Sequence, residues 1–361
     1  MPKNHNIFSD LDRLRRQEEL VRQIYQNILE FYRVAIFLPQ VQKAISAGDD
    51  EYRISGDKIV RAYLEKTLKD FNRRMEVAFV NAISEQWEFA RLDHWEKLKA
   101  LYGKDEKVLQ QIDGLRKRAE KYHTDRSKEA RDYYLQKRNG LSLSDRVWNF
   151  SRQMPTEIDI IVQNAIKSGK SARETAGELK YYLNEPDKLF RRVRNPKTGE
   201  LEWSKAAKDY HTGRGVYRSS YKNAMRLART ETNIAYRYAE WQSFQNNFMI
   251  KGFEIRLSNS GNSCPVCEEL AGIYPKWFLW TGWHPQCMCH MIPVQISRED
   301  LMERFRLRRE GRLEEWRPSY YEELPEHFTE YLSNNSVRIT SAEKLPYWLE
   351  DNWERLKEYL V

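Results

Sequence analysis

Cysteine is scarce in this chain: four residues in 361, all of them between positions 264 and 289. Glycine and proline are also sparse, at 15 and 12, which excludes collagen-like and low-complexity compositions. With 40% hydrophobic and 32% charged residues, the remainder is the composition of a helix-rich globular protein. Long apolar runs are missing. The longest near the N-terminus, "VAIFLPQV" at 34–41, is far too short to cross a bilayer, and no segment there has the apolar core of a signal peptide. The expectation is synthesis in the cytoplasm and no contact with membrane. In a reducing compartment, paired cysteines at short spacing point to metal ligation more than to disulfides. At this length two or three packed units are expected, because single cores stop growing well below such sizes.

The net charge of +8 is uneven. Residues 298–361 hold 11 Lys and Arg against 15 Asp and Glu, leaving 50 against 38 in the rest, so a tail of −4 follows a body of +12. A basic body suits non-specific contact with DNA or an acidic protein surface, although its charges alternate in sign as on ordinary solvated helices.

Apolar periodicity predicts a helix over 10–37, with Leu20, Ile24, Ile28 and Phe31 on one stripe and Pro39 closing it. A second runs from Asp57 to about Leu101, with Ile59, Tyr63, Leu64, Leu68, Phe71, Met75, Phe79, Ile83 and Trp87 on one side. Neither keeps a strict heptad, which favours antiparallel bundle partners over a coiled coil. Residues 104–139 are highly charged and thinly apolar, so an exposed or partly mobile helix is expected there.

After Gly140 a helix restarts with Ser142 or Ser144 as its cap, and Ile158, Ile161, Val162, Ala165 and Ile166 form the next apolar face up to Gly169. Ser171 and Glu174 stand at capping-box spacing for another helix. This helical pair over 157–183 allows a helix-turn-helix reading, and with it a DNA-binding regulator, but helical hairpins that only pack are far commoner. Asn195 to Gly199 has the signature of a turn between short strands. A helix follows with Ala224, Leu227, Ala228, Ala235, Tyr238 and Ala239 on its stripe, then a strand "GFEIRL" with Phe253, Ile255 and Leu257 alternating, then a turn.

That turn leads into "CPVCEEL" and, beyond it, "WHPQCMCH". Two residues between Cys264 and Cys267 let a tight knuckle aim both sulfurs at one point, and a second cluster closes a tetrahedron. Zinc suits thiolate and imidazole donors and implies no redox chemistry. The second cluster offers His284, Cys287 and Cys289, one more donor than four-coordination needs. Cys287 and Cys289 are expected to diverge, which would let His284 replace one of them; which two complete the site stays open. His290 falls beyond the pattern. A nucleophilic pair such as Cys264 with His284 is disfavoured by four cysteines in two knuckles. The "HWE" at 94–96 lacks the Pro-Cys-x-x-Cys partner of a zinc deaminase, since Ser263 stands where the proline belongs. Glu268 and Glu269 are expected at the surface, which favours a structural ion over a catalytic one.

"LARTETNIAYRYAEW", a strand, "SCPVCEELAGIYP", "HPQCMC" and "MIPV", in that order, resemble the phage Mu F-like minor head proteins, also called phage head morphogenesis proteins. Arg229, Thr230 and Glu231 fit the first part of that family's pattern. Cys264, Cys267, Leu270 and Gly272 fit the second, and His284, Pro285, Cys287 and Cys289 the third. Met288 stands where the family usually has Arg. On a helix Arg229 and Glu231 diverge, which suits bridging to the knuckle loops more than pairing with each other.

The resemblance, over about residues 140–295, implies a minor capsid protein of a tailed phage or prophage. It would act in head morphogenesis near the portal, in the virion head, after assembly in the host cytoplasm. Portal or major capsid protein would be its partners, with some contact to DNA, no small-molecule substrate and no catalysis. The expected architecture is mainly α with a small α+β zinc-knuckle module. It comprises a helical N-terminal region (1–139), a head-morphogenesis domain with hairpin, short strands and knuckle (140–297), and a helical C-terminal extension (298–361). In that extension Trp348, Trp353, Leu356 and Leu360 form the aromatic face of the last helix, which either packs on the body or docks on a capsid or portal subunit. The alternative is a zinc-dependent hydrolase or nuclease acting on DNA, motivated by the surplus donor and the basic body.

Overall fold

The computed structural model describes residues 7–103, 105–122, 136–138, 140–185, 192–203, 210, 216–245, 247–258 and 264–360. They are mainly helical, with one small three-stranded antiparallel sheet and a two-stranded hairpin. Among these residues no helix is long and apolar enough to cross a membrane.

Two compact units divide the chain, one of residues 1–14, 83–140 and 230–361, the other of residues 15–82 and 141–229. Helices α1 (Ile7–Ile36) and α3 (Lys58–Tyr102) contribute residues to both, as does α8 (Ser220–Gln245). Short α2 (Pro39–Ala47) carries Pro39 in its first turn, where a missing N–H removes no helical bond.

In the unit of residues 15–82 and 141–229, Leu20, Ile24, Ile28 and Phe31 of α1 are all buried. The Phe31 ring lies 6.2 Å from Phe71 of α3, which lies 6.2 Å from Phe150 of α5 (Leu143–Ser151). The expected stripe on α3 needs correction at its start. Ile59 and Tyr63 are 69% and 45% exposed, because Val60 and Leu64, one position on, take the inward face. Ser142 caps α5 with a reciprocal bond to Asp145, whereas Ser144 donates to Glu76 at 2.5 Å. Helix α6 (Met154–Lys167) buries Ile158, Ile161, Val162, Ala165 and Ile166, and Gly169 follows at φ 64°, a left-handed turn that only glycine adopts without strain. Ser171 and Glu174 form the capping box of α7 (Ala172–Asn184). Strands β1 (Arg192–Arg194) and β2 (Leu201–Trp203) pair across the Asn195–Gly199 turn.

In the other unit, β3 (Ile250–Arg256) is the central strand of an antiparallel sheet, flanked by β4 (Gly272–Tyr274) and β5 (His290–Gln295). Phe253 and Ile255 are buried on it and Leu257 is half-buried. Short α9 (Pro265–Glu269) opens the stretch between β3 and β4 that carries the first cysteines. Helix α4 (Glu106–Tyr122) is less exposed than its charge suggests, since Val108 and Ile112 reach the core; residues 123–135 and 139 of that expected helix lie outside the described residues.

The C-terminal segments join this same core. Leu301 and Leu307 of α10 (Arg298–Arg309) and Phe328 and Leu332 of α11 (Glu326–Asn334) are buried, and α12 (Ser336–Thr340) adds Ile339. The expected last helix is broken into α13 (Tyr347–Glu350), α14 (Trp353–Leu356) and a 3-10 turn. Trp348 and Leu356 are therefore buried, while Trp353 is 36% exposed and Leu360 half-buried.

Candidate metal centre

All four cysteines and His284 converge in the unit that contains the three-stranded sheet. Cys264 caps α9, and its Sγ accepts the Cys267 N–H at 3.4 Å, so the first turn of this helix aims both sulfurs the same way. His284 Nε2 lies 3.2 Å from Cys264 Sγ and 3.1 Å from Cys267 Sγ. Cys267 Sγ is 3.9 Å from Cys287 Sγ. The donor atoms form two triplets, Cys264–Cys267–His284 and Cys267–Cys287–Cys289, each with its members within 4.8 Å of one another. Cys267 belongs to both.

A turn leads into the second cysteine pair: the Cys287 N–H bonds to the His284 carbonyl at 3.1 Å, and Gln286 takes φ 60°. Cys287 and Cys289, two residues apart, both face Cys267, which corrects the expectation that they diverge; positions i and i+2 share a face in an extended backbone. His284 is oriented separately. Its Nδ1 lies 2.8 Å from the Pro285 carbonyl, which can only accept, so Nδ1 carries the proton and the Nε2 lone pair faces the sulfurs. His290 is half-buried at the start of β5 and belongs to neither triplet.

The chemistry of the donor set, thiolate and imidazole, suits an ion such as zinc. Bonds of about 2.3 Å to sulfur and about 2.0 Å to nitrogen imply tetrahedron edges of roughly 3.5–3.8 Å; the His284–sulfur distances of 3.1 and 3.2 Å and the Cys267–Cys287 distance of 3.9 Å lie near this range, with the donors grouped as two triplets that share Cys267. The Cys267 and Cys289 hydrogen bonds, aided by the Arg237 charge, hold the Cys287 thiol well below its ordinary range, while the bond to Cys287 pushes Cys267 well above it, so Cys287 is the sulfur on which negative charge is favoured.

Helix α8 locks the second knuckle in place. Arg237, 2% exposed, donates to the carbonyls of Thr281 (2.9 Å), Cys287 (2.6 Å) and Cys289 (2.8 Å), and its guanidinium lies 4.6 Å from the Trp280 ring centre. Asn233 donates to the Cys287 carbonyl at 3.3 Å, and the Gln286 N–H donates to Thr230 Oγ1 at 3.1 Å. Gly282 is required here, because a Cβ would stand 2.6 Å from Arg237 Nη1.

Of the Arg-Thr-Glu residues, then, Thr230 touches the knuckle loop. Arg229 instead pairs with Glu18 of α1 at 2.7 Å, and Glu231 is buried. Asn233 and Arg237 were not singled out from the sequence. Their signal is there, two polar residues one turn apart inside the small-residue stripe of α8. Glu268 and Glu269 are exposed, as expected. His94 and Glu96 belong to no metal-ligating group among the described residues; His94 is a core residue and Glu96 faces Lys99 and Arg116.

The chain matches no protein-family model, no curated protein and no solved structure.

Proposed function

We propose that the five-donor cluster holds one zinc ion as a structural clamp, and that the chain is a minor head protein of a tailed phage or prophage, acting in head morphogenesis near the portal. The observation that carries this reading is the contact of Thr230 with Gln286. It joins the middle residue of Arg-Thr-Glu to the interior of His-Pro-x-Cys-x-Cys, while Cys-x-x-Cys shares its donor cluster with that same segment. The three pieces that resemble the head-protein pattern in chain order are thus one unit in space, as a common structural role requires.

A clamp suits the surroundings. Cys267, Cys287 and Cys289 are 1–3% exposed, whereas the nearest acids in sequence, Glu268 and Glu269, are exposed. Portal or major capsid protein is the proposed partner, with non-specific DNA contact through the basic body. The virion head is the proposed location.

Fractionation of particles from a producing host tests the virion role: recovery with heads or procapsids is expected, and absence from both would sink it. A zinc-dependent nuclease remains the second reading, on the strength of the fifth donor. Hydrolysis of DNA by the zinc-loaded chain, abolished by E268Q with E269Q, would establish it in place of the clamp.

A further inference from the structure

In the unit that holds the cysteine cluster is a cavity of about 620 Å³ walled by Trp241, Trp277 and Trp353, with Glu350, Asp351 and Glu354 at its exposed side. Its walls are tied down. The Trp241 indole N–H donates to the Lys276 carbonyl at 2.9 Å and that of Trp277 to the Glu322 carbonyl at 2.8 Å. Asn352 holds Leu279 through both backbone groups, at 2.9 Å each, and also donates to the Trp348 carbonyl at 2.7 Å. With their N–H groups consumed, Trp241 and Trp277 can offer a ligand only their π faces and edges. Such surfaces reward apolar bulk and positive charge.

Of the carboxylates Glu350, Asp351 and Glu354 that line the cavity, Glu354 pairs with Lys357 at 2.5 Å and Asp351 feels the Arg138 charge. Arg355, on the same wall, already lies 4.5 Å from the centre of the Trp277 ring. The protein thus places one of its own guanidinium groups on a face of this cavity, on a side chain that is itself exposed. A neutral hydrogen-bonding ligand would find the Trp241 and Trp277 indole donors occupied.

We propose that this cavity is a binding site for an alkylammonium or guanidinium head group, held by cation–π contact with Trp277 and Trp353, with Arg355 as the resident cation that a ligand displaces and Glu350 and Glu354 as carboxylates that can pair with it, Glu354 in exchange for Lys357. The site is independent of the metal centre and of the head-protein reading. The head group could be carried by a free organic cation or by a Lys or Arg side chain of a protein segment; the recognition chemistry is the same.

Calorimetric titration of the full chain with choline and with its uncharged isostere 3,3-dimethyl-1-butanol tests the proposal. Choline is expected to bind at least about fivefold more tightly, the smallest preference that desolvated cation–π contacts should produce. W353A, which removes an exposed ring, is expected to weaken choline binding by a similar factor, and E354Q severalfold, with the unfolding midpoint unchanged. R355A is expected to strengthen binding, because it frees the Trp277 face; a residue with a merely structural role would not do so. A Gly-Arg-Gly amide serves as the second arm. Tighter binding of the peptide assigns the site to a protein side chain, and tighter binding of choline to a free cation. Equal affinity for the isostere, indifference to W353A, or no binding of either cation up to about 10 mM, weaker than the millimolar end of ordinary affinities, overturns it.

Discussion

Arg237 Nη2 lies 2.6 Å from the carbonyl oxygen of Cys287, so a buried cation on a helix holds the backbone of the second cysteine knuckle. The same group reaches the Cys289 and Thr281 carbonyls, so one side chain sets the path of the whole second cysteine segment.

Arg237→Met should therefore be costly. It leaves three buried carbonyls without this donor, each worth about 1–3 kcal/mol when unsatisfied, and removes positive charge beside the sulfurs. A stability loss of about 3 kcal/mol or more is expected in urea unfolding, together with faster zinc loss to a chelator. Wild-type metal retention in the variant would show that the cysteines need no support from α8.

Cys267 shares two donor triplets, so substitutions should not be equivalent. One zinc per chain is expected in freshly reduced protein. Cys267→Ser should lower affinity more than Cys264→Ser or Cys289→Ser, since it alone interrupts both groups. Competition with a chromogenic chelator gives the order, and equal losses at the three positions would contradict the shared-donor geometry.

His94 is buried in α3 beside Trp95 and Phe244, and its Nε2 accepts from the Asn247 amide at 3.3 Å. Burial, with the nearby Lys97 charge, pushes its pKa down to about 3. Between that value and the ordinary 6.5 the unfolded chain binds the proton and the folded chain does not. Stability contributed by the neutral ring is therefore present above about 6.5 and falls as the pH drops, by at most about 1.4 kcal/mol per unit. The difference in stability between wild type and His94→Gln, measured from pH 7 to 4, should shrink or reverse toward acid. A difference independent of pH would refute this.

Glu157 carries the opposite sign. Its carboxylate accepts from the Tyr32 hydroxyl and from the Ser220 N–H and hydroxyl at 2.6 and 2.8 Å, yet burial outweighs these bonds and raises its pKa to about 7. Between about 4.5 and 7 the folded state holds a proton that the unfolded state has released, so stability falls as pH rises through this window. Glu157→Gln should remove that slope. An unaltered pH profile would mean that the hydrogen bonds win over burial.

Local order was open to inspection in the linear chain wherever the cause is local. The Ser171–Glu174 capping box, the Gly169 stop, the Asn195–Gly199 turn and the Cys-x-x-Cys knuckle each depend on neighbours within four residues. Periodicity likewise located the buried stripe of α1. It misplaced the start of α3, because near a helix end two adjacent apolar rows compete and only the packing partner chooses between them. Charge density on α4 concealed Val108 and Ile112, which are buried in the core.

From the amino-acid sequence alone came the helical character of the chain, the five sulfur and nitrogen donors and the spacing that lets each knuckle form. What no sequence distance shows is that Cys287 and Cys289 are set against Cys267, that Arg237 rather than Arg229 grips the knuckle, or that residues 83–140 and 230–361 share a core. These depend on groups dozens of residues apart competing for the same carbonyls and the same buried space, a competition that is resolved only when the whole chain has packed.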